Sequence, residues 1–171
     1  MQLSFGCIDM TINNDMITQV ERQLRLHFRR LPARYMADMC GKAEEVMIHR
    51  SLLLAVADCS QSHGHGHPQI HARFLKTFHL SFSSRFRSDT QVTNGILYTQ
   101  CISTIVFGCI DKPRLLSQLS ALVSEVGLNI REAHVYSTVD GFSLSVFLVD
   151  GWYKEEAGGL LKAIKEAIRS I

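Results

Sequence analysis

Residues 104–130, TIVFGCIDKPRLLSQLSALVSEVGLNI, decide the fold. Their start is a short β-branched run in which Ile105 and Phe107 alternate with Thr104 and Val106, the pattern of a strand. Gly108 and Pro113 then bracket a turn. Beyond it, Leu115, Leu116, Leu119, Leu122, Val123 and Val126 fall on one helical face. Pro113 suits the first helical position, where a missing N–H costs nothing, and Gly127 stands where a left-handed cap is wanted.

Working outward, residues 128–138 are β-rich and Asp140-Gly141 is a hairpin signal. Phe142, Leu144, Val146 and Leu148 then alternate with Ser143 and Ser145, as in a strand with one apolar and one polar face. Leu160, Leu161, Ile164, Ile168 and Ile171 form a second helical stripe, with Glu155 and Glu156 before it, where the helix dipole favours anions. The order is strand–helix–strand–strand–helix. A crossover helix implies a parallel strand pair, and the hairpin adds an antiparallel neighbour. The fold class is α+β: a ferredoxin-like βαββα(β) sandwich over residues 101–171, short of its final strand. The strand around Ile105 is thereby left with an open edge, to be filled by residues 70–82 or by a second copy.

The first hundred residues have a different texture. Residues 1–60 read as a small, mainly helical region with two helices. Ile17, Val20, Leu24, Phe28 and Leu31 make one stripe, ended by Pro32, and Ala43, Val46, Met47, Leu53, Leu54 and Ala57 make another behind Gly41. Residues 61–100 read as a histidine-containing loop, strand-like alternation through Ile70, Ala72, Phe74, Phe78, Leu80 and Phe82, and a serine-rich linker over 81–95. The helical region and residues 101–171 are expected to be separate folding units.

Composition narrows the function classes. The hydrophobic share is 46% and the charged share 20%, values of a globular domain, and the net charge of +2 argues against a nucleic-acid or anionic-membrane partner. No apolar run approaches the ~20 residues of a membrane span. Five cysteines, odd in number and with no CxxC pair, suit reduced thiols inside the cell, in the cytoplasm or the nucleus, better than a disulfide framework.

The candidate site is the turn between strand and helix. Helix N-termini carry unsatisfied N–H groups and partial positive charge, so those groups together with Gly108 suit a carboxylate. Asp111 can accept from an amino group and Asn129 can both donate and accept, which together suggest an amino-acid-sized zwitterion. The plainer role for Asp111 is to cap the helix.

The run Ile110-Asp-Lys-Pro-Arg-Leu-Leu116, with Gly127-Leu-Asn-Ile130 and Glu132-Ala-His134, resembles an ACT domain. The fuller string IDKPRLLSQLSALVSEVGLNIREAHVYSTVDGFSLSVFLVDGW resembles the ACT domains of plant Raf-like dual-specificity protein kinases. HFRRLPARYMADM, KAEEVMIHRSLL and HARFL resemble the segment preceding ACT in the same kinases. The resemblance implies a regulatory module that senses an amino-acid-type ligand, or that pairs with a second copy or a related kinase. It places the ligand against Gly108, Cys109, Ile110, Asp111, Lys112, Pro113, Arg114, Leu115, Asn129 and Ile130. Ligand-binding members usually have glycine where Arg114 stands, which favours the alternative of a pure interaction module. The kinase Gly-rich loop, VAIK-like lysine, HRD and DFG are absent from this sequence, so no catalytic residues, cofactor or metal are expected.

Other signals weigh less. His63, His65, His67 and His71 lack the cysteines of most structural zinc sites and read as a loop. Cys109 beside the turn reads as a buried apolar side chain before a redox thiol. His134, Ser137 and Asp140 lie on one strand and its hairpin, where alternating directions prevent a converging triad. Arg29, Arg30 and Arg34 read as a solvated helix face. Phe5-Gly-Cys-Ile-Asp9 repeats Phe107-Gly-Cys-Ile-Asp111, but no leucine stripe follows the first copy, so a second domain is not expected.

Overall fold

A computed structural model describes residues 6–63, 68–81, 97–152 and 157–169. Nine elements follow one another: α1 (Gly6–Arg30), α2 (Ala33–Asp38), α3 (Ala43–His63), β1 (Gln69–Ser81), β2 (Leu97–Ile110), α4 (Leu115–Glu125), β3 (Asn129–Ser137), β4 (Phe142–Asp150) and α5 (Ala157–Arg169). The strands form one sheet in the order β1-β2-β4-β3, and every neighbouring pair is antiparallel.

This corrects the expected parallel pair. β2 and β3 do point the same way across α4, but β4 lies between them and bonds to both. The hairpin strand folds back into the gap, so the crossover is split. The open edge of β2 is taken by the chain's own earlier segment: Ile70 pairs with Phe107 and Ala72 with Ile105. β1 thus supplies the strand missing at that edge, from upstream rather than downstream. The histidines of 63–67 and the serine-rich stretch lie largely outside the described residues, as does Phe5.

Two apolar clusters lie on the two faces of the sheet, sorted by the period-two alternation of its strands. Ile105, Phe107, Phe147 and Val149 face α4 and α5 and pack with Leu119, Leu122, Val123, Leu160 and Ile164. Val106 and Leu144 face the other way and join Leu31, Tyr35, Met39, Val46, Leu52 and Leu53 from the N-terminal helices. The N-terminal helices therefore form a third layer on the sheet and share a core with it, where separate units were expected. Arg73 of β1 strengthens the junction by reaching Glu44 at 3.1 Å and Glu45 at 2.9 Å in the first turn of α3. With both faces covered, Ser143 and Ser145 are buried rather than solvated.

Local signals explain the element ends. Gly127, at φ +85°, closes α4: its N–H donates to Ser124 at 2.9 Å while that of Leu128 donates to Val123 at 3.3 Å, a Schellman arrangement. Gly141, at φ +86°, turns the β3–β4 hairpin, where the Phe142 N–H donates to Thr138 Oγ1 at 2.9 Å. The Val139 N–H donates to the Arg30 carbonyl at 2.9 Å, fastening the hairpin to the end of α1. The short α2 was not foreseen from the sequence; Pro32, at φ −64° and ψ 153°, ends one helix and starts the next.

Candidate functional site

The turn after β2 does two jobs, and only its second half faces solvent. Gly108 is buried beneath α3, and a Cβ there would come within 3.3 Å of the backbone carbon and oxygen of Leu52. Cys109 is buried in the α4–α5 cluster, where burial pushes its thiol up to about 12. A thiol held protonated is a packing group. Leu115 is buried as well. Asp111, Lys112, Pro113 and Arg114 are exposed.

Helix α4 begins two residues later than expected. Its N-cap is Arg114, in the left-handed region at φ 64°, and Pro113 lies in the turn outside the helix. No side chain caps this end, so the plainer role for Asp111 is not realised. The Asp111 N–H donates to the Gly141 carbonyl at 2.9 Å, and that of Leu115 to Lys112 at 3.2 Å. The N–H groups of Leu116 and Ser117, the next two in the first turn, are left without a backbone partner. Glycine at position 114 would adopt this backbone freely, whereas arginine adopts it against a steric penalty.

Asn129 lies elsewhere. It pairs with Asp150 at one end of β4, whereas Ile110 pairs with Phe142 at the other end. Eight residues of strand at about 3.3 Å each put roughly 26 Å between the turn and Asn129. Within one chain the expected set divides into the turn residues at one end of the sheet and Asn129 with Ile130 at the other. The Asn129 Nδ2 donates to Asp150 Oδ1 at 2.9 Å, and Arg131 Nε donates to Asp150 Oδ2. Gly151, at φ +97°, leaves room for this cluster, since a Cβ there would sit 3.3 Å from Asn129 Nδ2. Asp150, Arg131 and Gly151 were not singled out from the sequence. An aspartate at the end of an otherwise apolar strand is the signal that marks them.

A second polar set joins the helical layer to the sheet and was also missed. Tyr35 is fully buried, and its hydroxyl lies 3.2 Å from His27 Nε2 and 3.0 Å from His49 Nδ1. Its ring meets that of Tyr136 edge-on at 5.0 Å, and Tyr136 donates to Asp38 at 2.8 Å. Burial, then the charges of Arg30 and Arg50, lowers His27 to about 4. Burial, with His27 next, lowers His49 to about 4. Burial and the Asp38 hydrogen bond raise Tyr136 to about 12. The Tyr136 hydrogen bond holds Asp38 below the usual carboxylate range. Both histidines are neutral at pH 7, and the tyrosine between them stays protonated.

The remaining motifs resolve in the same way. Asp140 forms a 2.6 Å ion pair with Arg30, and Arg34 binds Asp38 at 3.3 Å and His134 at 3.2 Å. Arg30 and Arg34 therefore do structural work rather than forming a plain solvated face. His134 stacks on Tyr136 and approaches Glu132, away from any nucleophile–base geometry. No cluster with metal-ligand geometry occurs among the described residues, and no helix there is long and apolar enough to cross a membrane.

An antiparallel sheet in this order with two helices on one face is a ferredoxin-like sandwich, and the ACT domain family model matches its residues 103–169. Beyond that domain, the chain is similar to two Arabidopsis thaliana proteins, the serine/threonine-protein kinases STY17 and STY46. It is 36% identical to the first over 187 residues and 37% identical to the second over 188. The matches cover 85% and 87% of this chain but 33% of each kinase. The chain thus spans about a third of the length of these relatives, and it carries an ACT domain rather than a catalytic one. No solved structure matches the chain.

Proposed function

We propose that this chain is the regulatory part of a kinase of the group it resembles, and that it works as a pair of copies rather than as a single chain. The separation of Asp111 from Asn129 along β4 carries this reading, because one copy cannot close both around an amino-acid-sized ligand. β3 is one edge strand of the sheet, β1 being the other, and Arg131, Glu132, Ala133 and Val135 on it are exposed. Two β3 edges related by a two-fold axis pair antiparallel, which brings the Asn129 end of one sheet beside the turn end of the other. An anion held by the α4 N-terminus of one copy would then lie near Asn129 of its partner.

The second reading, a pairing module without a ligand, is favoured by Arg114, whose side chain stands where close backbone approach would be needed. The free thiols of Cys40 and Cys109 fit a reducing compartment, the cytoplasm or the nucleus. Sedimentation and calorimetry against the twenty amino acids test the proposal. A dimer that releases heat with one of them supports sensing; a dimer with no heat supports the pairing module. A chain that stays monomeric at about 100 μM and binds none of them sinks both.

A further inference from the structure

A wide opening lies outside the ACT turn, where α1, α3 and the β3–β4 hairpin meet. It holds about 530 Å³, the size of a small-molecule site. Leu26, Leu54 and Val139 give it an apolar wall, and each of the three is exposed. Arg29, Arg30 and Arg50 give it three guanidinium groups against one carboxylate, that of Asp140. Asp140 is already paired with Arg30 at 2.6 Å, and Arg50 holds Gln23 by one nitrogen at 2.8 Å. Arg29 has no ion-pair partner among the described residues.

Two buried donors also point to a ligand. His27 lines the opening and is only 2% exposed, yet its Nδ1 has no hydrogen-bond partner among the described residues. The same holds for Arg30 Nε. Buried polar groups are nearly always satisfied, so two orphans at one opening mark a place where an acceptor belongs. His27 Nε2 meets the Tyr35 hydroxyl, which in turn meets His49 Nδ1. That chain allows one orientation in which the His49 Nδ1–H donates to Tyr35, the Tyr35 hydroxyl donates to His27 Nε2, and the His27 Nδ1–H is left as a buried, unpaired donor in the wall of the opening.

We propose that this cleft binds a small organic anion, a phosphate monoester on a flat apolar body. The phosphate lies against the Arg29, Arg30 and Arg50 side and accepts from Arg30 Nε and His27 Nδ1, both without accessible surface in the empty cleft, once the side chains over them move aside, while the apolar body lies on Leu26, Leu54 and Val139. Phosphate suits fork-shaped guanidinium donors, and the apolar wall excludes a bare ion as the best occupant. The site is independent of the ACT turn. It reports through Tyr35, whose ring packs on Tyr136 of the sheet.

The test uses the whole chain with three probes: phenyl phosphate, inorganic phosphate and phenol. Calorimetry should find phenyl phosphate bound at least about tenfold tighter than either fragment, since both halves of the cleft are then filled. Nitrogen NMR should show the His27 Nδ1 signal moving on its addition. Arg29→Gln, an exposed position that leaves folding intact, and Arg50→Gln should each weaken binding about fivefold or more. Melting curves without ligand identify any variant that fails to fold, and Arg29→Gln then decides the matter alone. No heat with phenyl phosphate, binding unchanged in Arg29→Gln, or inorganic phosphate binding as tightly would each overturn the proposal.

Discussion

Gly108 of β2 lies directly against Leu52 of α3, so close that a Cβ would meet the Leu52 carbonyl carbon and oxygen at 3.3 Å and the helix would have to give by a few tenths of an ångström. The residue that seemed to serve a ligand serves the helical layer. Gly108→Val should push α3 off the sheet and cost about 2–3 kcal/mol, with Gly108→Ala costing about 1. Urea unfolding measures both. A Gly108→Val chain as stable as the parent would mean that α3 does not pack there.

Most of residues 101–171 was legible because its signals are local. The stripe from Leu115 to Val126, the Gly127 cap and the Asp140-Gly141 turn each act over a few residues, and each appears in the fold. What depends on distant chain was not legible. Ser143 and Ser145 alternate as surface residues do, yet the sheet is covered on both faces and they are buried. Residues 6–8 and 108–110 share the sequence Gly-Cys-Ile, but the first lie in helix α1 and the second in strand β2. Their surroundings, not their identity, decide. The site suffered likewise: adjacency to the turn says nothing about which of Gly108, Cys109 and Asp111 faces inward.

Arg114 is the one non-glycine residue at positive φ among the described residues. Arg114→Gly removes a steric penalty of roughly 1–2 kcal/mol and adds unfolded-state entropy worth roughly 0.5–1, so the net gain is up to about 1.5 kcal/mol. The midpoint of thermal unfolding should rise by a few degrees. A lower midpoint would show that the arginine side chain makes up for its own backbone strain.

His27 and His49 predict how stability responds to acid. Each folded pKa, about 4, lies below the ordinary 6.5, so the unfolded chain binds more protons between those values. Stability is therefore full above pH 6.5 and falls as pH drops toward 4. A shift of this size corresponds to on the order of 3 kcal/mol per histidine at its limit. The melting temperature should drop steeply between pH 6.5 and 4.5, and His49→Gln should flatten part of the slope. A curve that is level across that interval would contradict the burial of two neutral imidazoles.

The shared core makes a prediction about dissection. A fragment of residues 97–171 keeps α4, α5 and three strands, but it loses β1 from one edge and the helices from one face. Val106, Tyr136 and Leu144, all buried in the whole chain, would then meet water, beside the unpaired backbone of β2. An open edge next to an exposed apolar face favours association. The fragment should aggregate, or pair through β2, at concentrations where the whole chain stays well behaved. Adding back residues 68–81 should protect the edge but not the face, so solubility returns fully only with residues 6–63 as well. Light scattering on the three lengths separates these steps. A monomeric, cooperatively melting 97–171 fragment would show that the ACT sheet needs neither its upstream strand nor its helical cover.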